Sequence, residues 1–191
     1  MSQLKKLFKM AFTTVTLLVL SFAVSADKAI FAGGCFWCME ADFEKLEGVS
    51  EVISGFTGGK TPNPSYNGDH HGHYEAVEIH YDPTKLTYQN LLDHYWVNID
   101  PFDTKGQFCD KGFSYLSAIF VETEEQRELA EISKNKVIAQ FPNQKVVTPI
   151  LKAKKFYPIK GDEIGHQDYY KKNPIRYKYY RWNCGRDQRL E

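Results

Sequence analysis

The apolar positions after residue 26 predict a β-strand joined directly to a helix. Residues 29–32 form a short apolar run that ends at Gly33-Gly34, which is typical of a buried strand followed by a turn. From Phe36 to Leu46 the apolar residues recur at helical spacing. Cys35 is therefore expected where a strand meets the first turn of a helix.

Alternating patterns predict two more strands and a second helix. Val49–Phe56 and Ala76–Tyr81 alternate or are β-branched, and each is followed by turn residues. A polar loop rich in Gly, Pro, Asn and His separates them. Apolar residues within 91–99 recur at helical spacing, and this helix must end before Pro101.

The second half of the chain predicts a strand, a helix and a last strand. Residues 115–121 form the strand, and Thr123 with Gln126 makes a capping box for a helix that runs towards Gln140. A strand over 146–151 is expected at a sheet edge because Pro149 cannot donate a ladder hydrogen bond. The connections are irregular, so we expect one α+β domain: a mixed sheet with flanking helices and long active-site loops.

Composition and charge narrow the class of protein. The 191 residues, 42% of them hydrophobic, suffice for one core, and the formal net charge is zero. No basic field indicates nucleic acid as a partner.

The first 26 residues are predicted to be an export signal. Three lysines within the first nine residues precede an uncharged, mostly apolar stretch over 10–24, and Val24-Ser25-Ala26 offers small residues for cleavage. We therefore expect a signal peptide at 1–26, a catalytic domain at 27–191, and a periplasmic or secreted protein without a membrane anchor. The alternative is an uncleaved anchor, although the apolar stretch is shorter than the roughly 20 residues that span a membrane.

The segment Gly34-Cys35-Phe36-Trp37-Cys38 contains the candidate chemistry. A cysteine at a helix N-terminus is close to unpaired amides, which are expected to lower its pKa and make Cys35 a nucleophile. Phe36 and Trp37 place two aromatic faces beside the sulfur, as a pocket for a small apolar group would require. The alternative is a buried aromatic cluster with an inert cysteine.

Several short motifs occur in a fixed order along the chain. They are Gly33-Gly34-Cys35-Phe36-Trp37, Gly58-Gly59, Asn63-Pro64-Ser65-Tyr66, Gly72-His73-Tyr74-Glu75, Tyr81-Asp82-Pro83, Asp110 with Tyr115, and His166-Gln167-Asp168-Tyr169-Tyr170 with Lys172-Asn173-Pro174. In this order and spacing the chain resembles the peptide-methionine sulfoxide reductase A family over most of residues 27–191. It departs from the commoner pattern at Tyr74, where a small residue is usual, and at Ser114 and Leu116, where Gln and Arg are common.

The resemblance implies an activity and a set of roles. The substrate would be methionine S-sulfoxide, free or in proteins, and the activity would repair oxidised proteins. Glu75 would be the general acid, which requires a pKa raised by burial. Tyr66 and Tyr115 would donate hydroxyls to the sulfoxide oxygen, and Asp110 would orient the site. No metal or organic cofactor is needed, and the reductant would be an external thiol, either a thioredoxin-like protein or dithiothreitol.

Two cysteines are candidates for attacking the oxidised Cys35. Cys38 is close by construction, because positions three apart on a helix are neighbours, and the resemblance also implies a resolving role for it. Cys184 lies beside a glycine and two arginines, and Cys109 is a weaker third candidate. We expect a Cys35–Cys38 bridge first, with Cys184 then exchanging onto Cys38.

Three other classes of protein remain as alternatives. A structural zinc site could use His70, His71 and His73 with cysteines, although the chain has one Cys-x-x-Cys pair. A thioredoxin-type oxidoreductase would also place Cys-x-x-Cys at a helix start, but Phe36-Trp37 is bulky where a protein disulfide must dock. A binding module that uses the aromatic loops is the third.

Overall fold

The computed structural model describes residues 27–190, and the predicted signal peptide at 1–26 lies outside the described residues. The strands are β1 (Asp27–Gly33), β2 (Val49–Thr57), β3 (Tyr74–Tyr81), β4 (Gly106–Gln107), β5 (Asp110–Lys111), β6 (Ser117–Val121), β7 (Ile150–Lys152) and β8 (Tyr157–Pro158). The α-helices are α1 (Phe36–Phe43), α2 (Tyr88–Val97), α3 (Glu124–Gln140), α4 (Tyr169–Lys172), α5 (Pro174–Asn183) and α6 (Arg186–Leu190). Two 3-10 turns cover Phe113–Tyr115 and Gly161–His166.

A six-stranded mixed sheet forms the centre of the fold. Its strand order is β7-β6-β1-β3-β2-β8, while β4 and β5 form a separate small hairpin. Neighbours pair antiparallel except β6 and β7, which are parallel. Helices pack against this sheet, so the expected α+β domain with a mixed sheet and flanking helices is confirmed.

Alternation along β1 divides the core between the two faces of the sheet. Ala29 and Phe31 belong to the larger cluster, whereas Ile30 and Ala32 belong to the smaller one. Leu91 and Leu92 of α2 are fully buried in the larger cluster. Burying each such side chain contributes about 1.5–3 kcal/mol to stability. Side chains of α1 belong to the same cluster, so packing on this face holds both α1 and α2 against the sheet.

Several element boundaries differ from the sequence prediction. Helix α1 ends at Phe43 rather than Leu46, and Tyr115 lies in a 3-10 turn, so the strand starts at Ser117. The strand expected over 146–151 is reduced to β7, which lies at the sheet edge as expected. Pro149 lacks an N–H, so only its carbonyl bonds to β6, accepting from the Ile119 amide. The capping box is half formed, since the Gln126 side chain accepts from the Glu122 amide and not from Thr123.

Polar contacts between residues far apart in the sequence hold the C-terminal helices against α1. Glu40 of α1 accepts from the Gln167 side chain at 2.7 Å and from the Asp168 amide at 2.6 Å. Asp42 accepts two hydrogen bonds from Arg181, both at 2.9 Å. These contacts hold the start of α4 and the helix α5 beside the second half of α1. No helix within residues 27–190 is long and apolar enough to cross a membrane.

Candidate active site

The junction between β1 and α1 places Cys35 as predicted. Cys35 is the N-cap residue of α1, and its carbonyl accepts from the amides of Cys38 and Met39. Gly34 has a φ of +84°, and a Cβ there would lie 2.6 Å from the Cβ of Gln107. A Cβ on Gly33 would meet the Met39 sulfur at 2.5 Å. Both glycines are therefore needed for this close approach.

The pKa of Cys35 is raised, whereas the sequence predicted that it would be lowered. Burial of the thiol is the largest cause, and Cys38 and Glu75 add to it. The expected helix effect is weak because Phe36, the first amide of α1, donates to Glu75 at 3.1 Å. The carboxyl group thus occupies the amide that was expected to face the sulfur. In the free protein, Cys35 is a thiol at neutral pH.

Glu75 is a buried carboxyl group at the start of β3. It is 1% exposed, and it pairs across the sheet with Phe56 of β2. Burial raises its pKa to about 8, with a smaller contribution from Asp110, while the Phe36 amide opposes the shift. Glu75 therefore holds a proton at neutral pH, which a general acid needs.

Tyr66 and Tyr115 lie on two different loops, within electrostatic range of Glu75. Burial raises the pKa of Tyr66 to about 12, and the charge of Glu75 contributes next. Tyr115 is shifted in the same direction, with the pKa again raised by burial first and then by Glu75. The loop of Tyr66 is held by Glu163, which accepts from its amide at 2.9 Å. Both hydroxyls thus remain protonated at neutral pH and can donate hydrogen bonds.

Asp110 is bonded to a tyrosine that the sequence analysis did not single out. Its carboxylate accepts from the Tyr180 hydroxyl at 2.5 Å, and that hydroxyl is also within hydrogen-bonding reach of the Cys35 thiol. Burial raises the pKa of Asp110, while Tyr180 and Arg186 oppose this. Tyr180 lies on α5, far along the chain, and its only signal in the sequence was helical spacing from Cys184.

Cys38 has the opposite electrostatic character to Cys35. Its pKa is lowered to about 7, first by the hydrogen bond with Cys35 and then by Arg186 and Arg181, against the effect of burial. Arg186 is itself buried and donates to the carbonyl of Asn98 at 2.6 Å. Cys38 is thus a buried sulfur prepared to be a thiolate.

A column of stacked rings covers the Phe36-Trp37 segment. Trp37 stacks on Tyr169 with ring centroids 3.7 Å apart, and the His166 ring packs at a tilt against Tyr66 with centroids 3.8 Å apart. Trp37 also borders a cavity of about 250 Å³, whereas Phe36 is fully buried. A cavity of about 700 Å³ lies at the opposite end of β1, and none of the residues around Cys35 lines it.

The remaining cysteines form a disulfide, which the sequence did not predict. Cys109, just before β5, is bridged to Cys184 at the end of α5, while Cys35 and Cys38 are free thiols. Neither Cys109 nor Cys184 is therefore a metal-ligating thiolate in this state. Within residues 27–190, the histidines of the zinc alternative join no cluster of three ligand-type side chains. His70 and His73 instead bond to backbone carbonyls of their own loop.

Sequence comparison shows proteins to which this chain is similar. The model of the family described as peptide methionine sulfoxide reductase matches residues 27–191. Peptide methionine sulfoxide reductase MsrA 2 of Caulobacter vibrioides is 47% identical over 172 residues, which cover 88% of this chain and 86% of the relative. The MsrA of Bacillus subtilis is 46% identical over 162 residues, covering 83% of this chain and 90% of the relative.

Structural comparison agrees. The reduced form of Mxr1 from Saccharomyces cerevisiae has a TM-score of 0.69 at 26% identity, covering 81% of this chain and 89% of that chain. Methionine sulfoxide reductase A of Corynebacterium diphtheriae has a TM-score of 0.68 at 32% identity, covering 79% and 76%. With the family model matched over the whole described fold and relatives of this identity, the chain belongs to the peptide methionine sulfoxide reductase family.

Proposed function

We propose that this protein reduces the S epimer of methionine sulfoxide, free or in proteins, with Cys35 as the nucleophile. One observation carries this proposal: a buried, protonated carboxyl group, Glu75, is bonded to the amide next to Cys35, with Tyr66 and Tyr115 within electrostatic range of both. Reduction of a sulfoxide needs a sulfur nucleophile, a proton for the oxygen and donors that hold that oxygen. The choice of epimer comes from the family resemblance.

The first chemical step uses the proton on Glu75. The Cys35 thiol passes its proton to the hydrogen-bonded sulfur of Cys38, and the resulting thiolate attacks the sulfoxide sulfur. Glu75 protonates the oxygen while Tyr66 and Tyr115 hold it. Methionine leaves, and Cys35 becomes a sulfenic acid. Protonated Glu75 also removes a negative charge that otherwise opposes ionisation of Cys35, so one proton supports both partners. Asp110 acts through Tyr180, which positions Cys35.

Cys38 is our candidate for the resolving thiol. Cys38 attacks the sulfenic sulfur, its proton leaves with the hydroxyl group as water, and a Cys35–Cys38 disulfide remains. The low pKa of Cys38 and its hydrogen bond with Cys35 favour this order. Cys184 enters afterwards, because it is bridged to Cys109 in this structure and is free to act only when that bridge is open.

The reductant that opens the disulfide and the cellular compartment of the protein are also proposals. We propose a thioredoxin-like reductant, with dithiothreitol as its substitute in vitro. The structure of Mxr1 from Saccharomyces cerevisiae in complex with Trx2 has a fold similar to this chain, with a TM-score of 0.54 at 20% identity. The sequence of residues 1–26 supports export and cleavage after Ala26. Mass spectrometry of the protein recovered from the bacterial periplasm should give Asp27 as its first residue; retention of residues 1–26 would contradict the cleavage.

Turnover of separated sulfoxide epimers with dithiothreitol tests the proposed activity. We expect methionine from the S epimer and none from the R epimer. Cys35→Ser should abolish turnover without unfolding the protein, since a hydroxyl is not ionised near neutral pH. An insulin-reduction assay tests the thioredoxin-type alternative, which the burial of both cysteines disfavours: Cys35 is 6% exposed and Cys38 is 2% exposed.

A further inference from the structure

Helix α5 exposes large apolar side chains on its outer face. Ile175, Tyr179 and Trp182 are 85%, 66% and 62% exposed. Their spacing of four and then three positions puts them on one side of the helix. Single exposed apolar residues are common on protein surfaces, but three large side chains on one helix face indicate a binding surface.

A small pocket joins this face of α5 to the candidate active site. The side chains that line it come from α1, α4 and α5: Trp37, Tyr169, Arg176, Tyr179 and Tyr180. Its volume is about 250 Å³, whereas complete small-molecule sites usually occupy about 300–1,000 Å³, so it suits a single side chain. The hydroxyl of Tyr180 also reaches the Cys35 thiol. One aromatic ring therefore separates the pocket from the nucleophile.

Basic side chains without acidic partners surround the pocket. Residues 169–184 contain five basic residues and no acidic one. Arg181 is paired with Asp42. Arg176 and Lys178 are exposed, and neither forms an ion pair with any carboxylate in the described part of the chain. Charge complementarity therefore favours an acidic ligand at this end of α5.

We propose that this pocket binds an acidic side chain of the protein substrate, two positions away from the oxidised methionine. In an extended peptide, side chains two positions apart point to the same side and lie about 7 Å apart. The sulfoxide thus faces Cys35 while the carboxylate binds Arg176, whose planar guanidinium accommodates a carboxylate in a bidentate manner. The apolar part of that side chain packs on Tyr179. This inference rests on the proposed function and extends it to a class of protein substrate.

The position and size of the pocket favour a substrate peptide over a folded protein as its ligand. Trp37 follows Cys35 by two positions in α1, and Tyr180 contacts both the pocket and the Cys35 thiol. A group in the pocket therefore lies next to the place where the sulfoxide must bind. The surface of a folded reductant does not enter a space that holds one side chain, whereas an extended peptide does.

Turnover of short oxidised peptides tests this preference. Capped pentapeptides carry methionine S-sulfoxide in the centre and Glu, Gln or Lys at both ends, two positions away. The kcat/KM for each, with dithiothreitol as reductant, is divided by that for free methionine S-sulfoxide, so a general loss of activity cancels. We expect the order Glu, Gln, Lys, with about a 5- to 20-fold ratio between Glu and Lys, because attraction is exchanged for repulsion. Equal values for the three peptides would overturn the proposal.

Charge reversal at the pocket should reverse the order of the peptides. In Arg176→Glu we expect the Lys peptide to become the best of the three. Lys136→Glu, an exposed substitution on α3 with the same change of charge, is the matched control and should keep the wild-type order. Thermal unfolding records whether either variant is destabilised. The wild-type order in Arg176→Glu, or a reversed order in Lys136→Glu, would show that the pocket does not select the substrate.

Two further measurements separate the pocket from other ligands and from the proposed function. If Arg176→Glu raises the KM for a thioredoxin-like reductant and leaves the peptide order unchanged, this face of α5 binds the reductant and the proposal is wrong. Binding of labelled peptides to Cys35→Ser, followed by fluorescence anisotropy, requires no turnover and should be tighter for the Glu peptide than for the Lys peptide. Equal affinities would contradict the pocket, whereas a wild type that reduces neither free sulfoxide nor any peptide would contradict the proposed function.

Discussion

Glu75 combines a deep position with a proton that it holds at neutral pH, and this allows a direct test of its role. Glu75→Gln keeps the shape and the contact with the Phe36 amide but has no proton to give. We expect kcat for the S epimer to fall by roughly 10²- to 10⁴-fold. Glu78→Gln, on the same strand but paired with Lys28, is the matched control and should keep its kcat. An unchanged kcat in Glu75→Gln, with chemistry shown to be rate-limiting, would remove Glu75 from the acid role.

The same carboxyl group should make stability depend on pH. Folding raises the pKa of Glu75 from 4.5 to about 8, so between these values the native state binds more protons than the unfolded state. The free energy of unfolding of the wild type therefore falls as pH rises through this window, and Gln lacks this titration. We expect the Tm of Glu75→Gln, relative to wild type, to increase from pH 5 to pH 9. A difference that is constant over this range would contradict the buried, protonated carboxyl group.

The pKa of Cys35 shows why a local pattern alone misjudged one property of the site. The strand–Gly-Gly–helix pattern placed Cys35 correctly at the start of α1, because that position depends on nearby residues. The direction of the pKa shift depends instead on Glu75, which is 39 positions away from the amide it accepts from. Burial of the sulfur is also a property of the packed core and not of the motif.

The turn between β1 and α1 should tolerate no side chain at Gly34. Gly34→Ala places a Cβ 2.6 Å from Gln107 at a φ of +84°, so the turn must shift and carry Cys35 with it. We expect the free energy of unfolding to drop by about 1–3 kcal/mol, together with a loss of turnover. Gly165→Ala is the control, since a Cβ there meets nothing within 4 Å. Equal denaturation curves for the two variants would contradict this account.

Elements held by local sequence were predicted better than those held by distant contacts. Helix α2 follows from apolar spacing, and it forms at Tyr88–Val97. Helices α4–α6 were not predicted, because few of their apolar side chains face a core. Among their described side chains, Tyr177 is the one buried hydrophobic residue. They are fixed mainly by contacts such as that of Arg181 with Asp42, which no periodicity reveals.

The position of these helices brings Tyr180 to Cys35 and two arginines, Arg181 and Arg186, to Cys38, so the completed site depends on how the C-terminal helices are held against α1. Tyr180 and Cys184 were separated from Cys35 by more than 140 positions in the sequence. The sequence motifs identified the family, yet the electrostatic setting of Cys38 appears only when α5 is in place. The resolving roles of Cys38 and Cys184 stay predictions.

The Asp42–Arg181 ion pair allows a test of how the C-terminal helices are held against α1. Asp42 is 2% exposed and also lies 3.7 Å from Arg186, so Asp42→Asn leaves two guanidinium groups without their buried anion. We expect a loss of about 3–5 kcal/mol in the free energy of unfolding and earlier proteolytic cleavage around α5, because removing one partner of a buried ion pair is costly.

Asp42 also raises the pKa of Cys38. In Asp42→Asn protein that remains folded, the thiolate of Cys38 should therefore form at lower pH, which the rate of alkylation would show. Asp93→Asn, an exposed change on α2, should alter neither readout. Wild-type proteolysis in Asp42→Asn would show that α4–α6 are held by other contacts.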